Sequence, residues 1–195
     1  MIAYLEGLVV HKEASFVILD LQGVGYQVRI ALPTYAALEV GKKFKLHTFM
    51  QVREDAHTLF GFKELAEKKI FLDLTSVSGI GANTALVILS SLSITEIKNA
   101  IASENVSTIQ GIKGIGLKTA QRIILELKDK ILKENVDIGT TSPANIGSLV
   151  RAEALQALIA LGISKLVAEK NLEAIAKKHG TDLGVEDLIR YALKM

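Results

Sequence analysis

The heptapeptide GIGANTA at residues 79–85 returns as GIGLKTA at residues 114–120, with five of seven positions the same. Each copy follows a short helical stretch and opens another helix. Two glycines flanking one aliphatic residue suit a tight turn with positive φ. The aliphatic residue, Ile80 or Ile115, is placed to plug the turn into a core between helices. The bare glycine backbone lets an external group come close. The helix starting there presents unpaired N–H groups and the positive end of its dipole. Phosphate is the natural guest of such a helix start.

A single GxG is weak evidence, because many helix pairs turn on glycine. Two copies, each followed by x-x-Thr-Ala, form the helix-hairpin-helix pattern of sequence-independent DNA binding. Paired hairpins can grip the two strands of a duplex across its minor groove, contacts that position a protein without reading bases. The candidate phosphate-binding residues are Ser78, Gly79, Gly81 and Asn83 in the first copy. In the second they are Gly114, Gly116, Lys118, Thr119 and Arg122, with Lys118 and Arg122 on one helix face. GIKGIGLKT (111–119) resembles a nucleotide phosphate loop, but Leu117 separates Gly116 from Lys118 and the preceding segment reads as helix, not strand. The dinucleotide fingerprint fails for want of a third glycine.

Charge follows the turns. Residues 1–62 carry six basic and six acidic residues, residues 63–133 ten and seven, and residues 134–195 seven and eight, so the positive excess falls on the segment with both hairpins. There is no cysteine, which excludes disulfides, thiolate metal sites and a Cys nucleophile. The four histidines show no metal-ligand spacing, and neither a metal nor a cofactor is expected. No apolar run is long enough to span a membrane, and MIAYLEGLVVHKE lacks a basic n-region and carries Glu6. The expectation is therefore a cytoplasmic protein with no membrane partner. Hydrophobic residues make up 49% of the chain, a surplus that fits either a large core or a covered subunit interface.

The predicted fold class is α+β multidomain. Residues 1–62 read as five short strands rich in β-branched and aromatic residues, broken at 11–15 and 23–25. Five strands are most economically closed as an oligonucleotide-binding (OB) type barrel, with a β-sandwich as the competitor. Residues 63–133 have helical periodicity throughout. Residues 134–147 gather Gly, Thr, Ser, Asn and Pro143 and read as a flexible linker. Residues 148–195 give three amphipathic helices, about 148–161, 164–178 and 185–194, a small bundle of the interaction-module kind.

Along its whole length the chain resembles the RuvA family, the Holliday junction-binding subunits of the bacterial branch-migration complex. GVGY at 23–26, VREDAHTLFGF at 52–62, both GIG turns and TAQRIILELKDK at 119–130 carry the resemblance. It implies a non-catalytic four-way junction scaffold that acts in recombination, DNA repair and the SOS response. The assembly it implies is a homotetramer, or an octamer on DNA. The implied partners are a RuvB-type hexameric ATPase, which supplies the motor, and a RuvC-type junction resolvase. Glu54 and Asp55 then match the family's acidic pin at the tetramer centre. From the residues alone, adjacent carboxylates read better as a solvated hairpin tip. The terminal bundle is implied to dock the motor, with Leu158, Leu161, Ile189 and Tyr191 as candidates, although most leucines at such spacing are core. Ala82 and Asn83 stand where the family often has Pro and a basic residue. Lys113 takes a Pro place, and Leu117 replaces a Lys.

Two other readings stay open. A hairpin-bearing glycosylase or nuclease would want a catalytic Lys or Asp in a base pocket, often with an aromatic wedge. The chain has no Trp, and the hairpin region offers only Phe71. A generic duplex-binding module would bind linear and branched DNA alike.

Overall fold

The computed structural model describes residues 1–137, 146–179 and 183–195. The chain forms two compact units, Met1–Val136 and Asp137–Met195.

The first unit begins with strands β1 (Tyr4–Glu13), β2 (Phe16–Leu21) and β3 (Val24–Ile30), then helix α1 (Leu32–Ala37), then β4 (Lys43–Val52) and β5 (His57–Phe62). The strands close into a barrel in the order β1-β2-β3-β5-β4, sealed by the antiparallel β1–β4 pair. β3 and β5 run parallel, with Val28 opposite Leu59. Period-two alternation turns Leu5, Val9, Val17, Leu19, Val28, Ile30 and Leu46 inward, where all are buried. The barrel settles the choice against a sandwich. Its turns are tighter than composition predicts: Ala14–Ser15 separates β1 from β2, and Gln22–Gly23 separates β2 from β3, so Gly25 lies within β3 opposite Asp20. α1 was not expected. Pro33 sits in its first turn, where a missing N–H costs nothing.

Helices α2 (Leu65–Ser76), α3 (Ala82–Ser91), α4 (Ile94–Ala102), α5 (Val106–Gln110) and α6 (Leu117–Asp137) follow. Their core is continuous with one end of the barrel. Phe71 of α2, fully buried, has ring centroids 5.8 Å from Phe49, 5.2 Å from Phe60 and 4.9 Å from Phe62. The only aromatic ring of the hairpin region is therefore a keystone holding helices to barrel. Buried Asp73 of α2 pairs with Lys130 of α6.

The second unit holds α7 (Ile146–Ala160), α8 (Lys165–His179) and α9 (Val185–Ala192) around Ala154, Leu158, Ala168, Leu172, Ile175, Leu188 and Ala192. The α7 C-terminus is closed by Gly162 at φ 91°. Gly162 N–H donates to the Ile159 carbonyl and Ile163 N–H to that of Leu158, the six-to-one pattern of a Schellman cap.

Two expectations change here. The linker expected over 134–147 is shorter, because α6 runs to Asp137 and α7 begins at Ile146; its remaining residues, 138–145, lie outside those described. Leu158 is fully buried, and so has no surface to offer a partner; Ile189 and Tyr191 are half-buried against the same core. Of the four docking candidates only Leu161 is well exposed, joined by Leu166, Val167 and Leu193. Among the described residues no single helix is long and apolar enough to cross a membrane.

Candidate nucleic-acid interface

The sequence repeat is also a repeat of hydrogen bonds. Ile80 N–H donates to the Val77 carbonyl at 3.0 Å, and 35 residues later Ile115 N–H donates to that of Ile112 at 3.0 Å. Ala85 N–H reaches the Gly81 carbonyl at 3.0 Å, and Ala120 N–H that of Gly116 at 2.9 Å. The side chains follow the same register. Val77 and Ile112, Ile80 and Ile115, Ala85 and Ala120, and Ile88 and Ile123 are all buried in one core. The recurring Ala therefore has a packing cause: Ala85 and Ala120 are fully buried in this close-packed core. One core holds both turns at a fixed separation.

The two glycines of each turn do different work. Gly79 and Gly114 have φ of 91° and 89°, a conformation L-residues disfavour. Gly81 has φ −86°, and Gly116 is likewise outside the left-handed region, so positive φ belongs only to the first glycine of each pair. A Cβ built on Gly81 or Gly116 meets nothing within 4 Å. The fold itself does not demand glycine there. Bare backbone at the start of α3 and of α6 leaves room for a group from outside the chain.

α3 starts at Gly81 with no side-chain cap, so its first N–H groups are left to solvent or a ligand. Lys113 and Lys118 are exposed beside the second turn, and Thr119 is half-buried. Arg122 is less free than expected. Its Nη1 donates to the Ser78 carbonyl at 3.0 Å, and its Nε lies 3.9 Å from Glu126. It thus ties α6 to the turn of the first hairpin. Asn83 also has a partner that the sequence did not reveal: Arg29 of β3 donates from Nη1 to Asn83 Oδ1 at 2.9 Å. No local pattern signals this pair; only the barrel's topology brings β3 beside α3.

Glu54 and Asp55 lie exposed in the turn between β4 and β5, which Arg53 N–H closes on the Ala56 carbonyl at 2.9 Å. They sit on a loop, not a strand. Asp55 shares with Arg29, Arg53, Gly81, Asn83 and Thr84 a cleft of about 340 Å³ between the barrel and the first hairpin. Among the described residues no group of three or more His, Cys, Asp or Glu is arranged to hold a metal ion.

The comparisons agree with this architecture piece by piece. Residues 1–61 match the RuvA N terminal domain, residues 71–129 the SAM-like Helix-hairpin-helix tandem, and residues 149–195 the RuvA C-terminal domain. Curated relatives called "Holliday junction branch migration complex subunit RuvA" match end to end. That of Cytophaga hutchinsonii is 54% identical over 198 residues, covering 100% of both chains. That of Flavobacterium psychrophilum is 47% identical, covering 100% of this chain and 99% of its own. That of Bacteroides thetaiotaomicron is 43% identical, with the same coverage. With a closed five-stranded barrel, a doubled hairpin and a terminal three-helix unit in the family's order, the chain belongs to the RuvA family.

Proposed function

We propose that this chain is a non-catalytic scaffold for four-way junction DNA. The carrying observation is the doubled hairpin held in one core, with Gly81 and Gly116 facing open space at two helix starts. Such a pair fits the two backbones of one duplex arm through N–H groups. Ser78, Gly79, Gly81 and Asn83 act at one strand, and Gly114, Gly116, Lys118 and Thr119 at the other. Arg122 fixes the spacing between them.

A junction has four arms, so four copies complete the site, and a second tetramer can cover the opposite face. Glu54 and Asp55 of each copy then meet at the crossover. Like charges about 4 Å apart repel by up to ~4 kcal/mol at an effective dielectric of 20, so phosphates are held off the centre while hairpins attract the arms. We assign residues 1–62 to the pin-bearing barrel, 63–137 to the hairpins and 146–195 to a docking unit for a RuvB-type hexameric ATPase, with the segment between α6 and α7 as the tether. Leu161, Leu166 and Val167 form its exposed apolar contact. A RuvC-type resolvase acts on the same complex. The motor hydrolyses ATP; the scaffold breaks no bond.

Gel shift against a four-way junction and a linear duplex of equal length, across a salt series, tests this. A junction preference of about tenfold or more that survives rising salt is expected. Equal binding overturns junction recognition and leaves the generic duplex binder. Base release or strand cutting by the purified chain would instead revive an enzyme.

A further inference from the structure

The two hairpins are not equally charged. Asn83 stands in the first where Lys118 stands in the second, so the first turn has no cation of its own at that position. A neighbouring element brings one. Arg29 lies on the outside of β3, between inward-facing Val28 and Ile30, and its Nη1 reaches Asn83 Oδ1 at 2.9 Å. A guanidinium only donates, so the amide must present its carbonyl oxygen to Arg29 and turn its NH₂ the other way. Arg29 spends one N–H on this contact and keeps the rest of its fork. It has no carboxylate partner among the described residues, and it lines the same cleft as Arg53, Gly81 and Thr84. Two guanidiniums against the single carboxylate of Asp55 leave that cleft net positive, before the exposed N–H groups of α3 are counted.

We propose that Arg29, oriented by Asn83, is a further DNA phosphate contact: the barrel lends the first hairpin the charge that its own helix lacks. The occupant is a phosphodiester of the duplex arm gripped by that hairpin, so the inference rests on the DNA-binding role proposed above. Arg29 is the residue type suited to it, since a planar fork binds phosphate in bidentate fashion while keeping a third partner. The hydrogen bond to Asn83 restrains the side chain in advance, which lowers the ordering cost of binding.

The test is fluorescence anisotropy of a labelled four-way junction with the full chain, from low to high salt. It compares the wild type, Arg29→Ala, and Arg29→Ala combined with Asn83→Lys. Arg29→Ala is expected to weaken binding by about tenfold or more. The log–log salt slope should fall by about 0.9 for each phosphate that the variant no longer neutralises. Adding Asn83→Lys puts a cation back on the helix and is expected to restore both. A wild type that shows no junction preference sinks the proposed function, whatever Arg29 does. A wild type that binds junctions, beside an Arg29→Ala variant within about twofold of it and with the same slope, overturns this inference alone. So does a loss that Asn83→Lys does not repair and that comes with a lowered thermal midpoint, because Arg29 would then be only a tie between barrel and helix.

Discussion

At the residue scale the two glycines of each turn differ in what the fold requires of them. Gly114 has φ 89°, so Gly114→Ala forces a side chain into the left-handed region at a cost of ~1–2 kcal/mol. Its thermal midpoint should fall. Gly116 has neither constraint: its φ is ordinary and an added Cβ meets nothing. Gly116→Ala should cost the fold less than about 1 kcal/mol, the difference between Gly and Ala at a helix N-cap. Yet it should weaken junction binding, because the methyl stands between the first N–H groups of α6 and a phosphate. Circular dichroism melts beside anisotropy titrations check the pair. Normal DNA affinity in Gly116→Ala would remove the bare backbone from the interface. The two positions share one letter in the sequence, which is why the spacing G-x-G was legible there and the difference in φ was not. Arg29 was illegible for a different reason: its partner Asn83 is 54 positions away, and only the closed barrel makes them neighbours.

At the element scale the sequence spoke clearly wherever a period ran long enough. The five strands and helices α2, α3, α4 and α6 were legible because alternation and 3.6-residue spacing persist through them, while the five-residue α5 was read only from its place among them. α1, six residues with a proline, is too short to show a period. The fate of Leu158 was equally hidden, since a repeat of leucines does not say which of them faces inward. Phe71→Ala should cost ~3–5 kcal/mol and loosen helices from barrel together, because one ring packs against three others contributed by β4 and β5. Urea unfolding followed by far-ultraviolet circular dichroism measures it. Three exposed carboxylates contribute to the acid sensitivity of this unit, and Glu39 is one, lowered by its hydrogen bond and charge pairing with Lys42. Glu96 lies below its ordinary value of 4.5 because the Ser93 hydroxyl and then its N–H donate to it, closing the cap of α4. Glu104 is lowered by its hydrogen bond and charge pairing with Lys128 of α6. A carboxylate depressed in the folded state stabilises above its unfolded pKa, and that contribution disappears as pH falls through the folded pKa. The thermal midpoint should therefore hold above about pH 5 and decline below about 4.5. Lys128→Met should show a shallower decline, since the Glu104 share is already gone. An unchanged pH profile in that variant would mean the pair contributes nothing.

At the scale of the whole molecule, charge is sorted by position. The positive excess lies with the hairpins, while Glu54 and Asp55 stand exposed on a loop of a barrel whose own segment is neutral overall. In a single copy two such carboxylates are an ordinary solvated turn. In the proposed tetramer their consequence would arise only where four copies bring them to one axis, a step no single chain displays and no spacing in the sequence encodes. Replacing them by Gln and Asn keeps the shape of the turn and removes the repulsion. If the pin acts by charge, the double variant should bind linear duplex more tightly, because a nearby like charge no longer opposes the phosphates. Its preference for the junction should shrink, because the open crossover is the geometry that repulsion selects. Energy transfer between dyes on adjacent arms of the bound junction would show the crossover closing. The change should be largest at low salt and fade as the Debye length falls from about 30 Å at 0.01 M toward 10 Å at 0.1 M. Arm angles and duplex affinity that both match the wild type would leave the acidic pair as a solvated hairpin tip, and would assign junction preference to the arrangement of the hairpins alone.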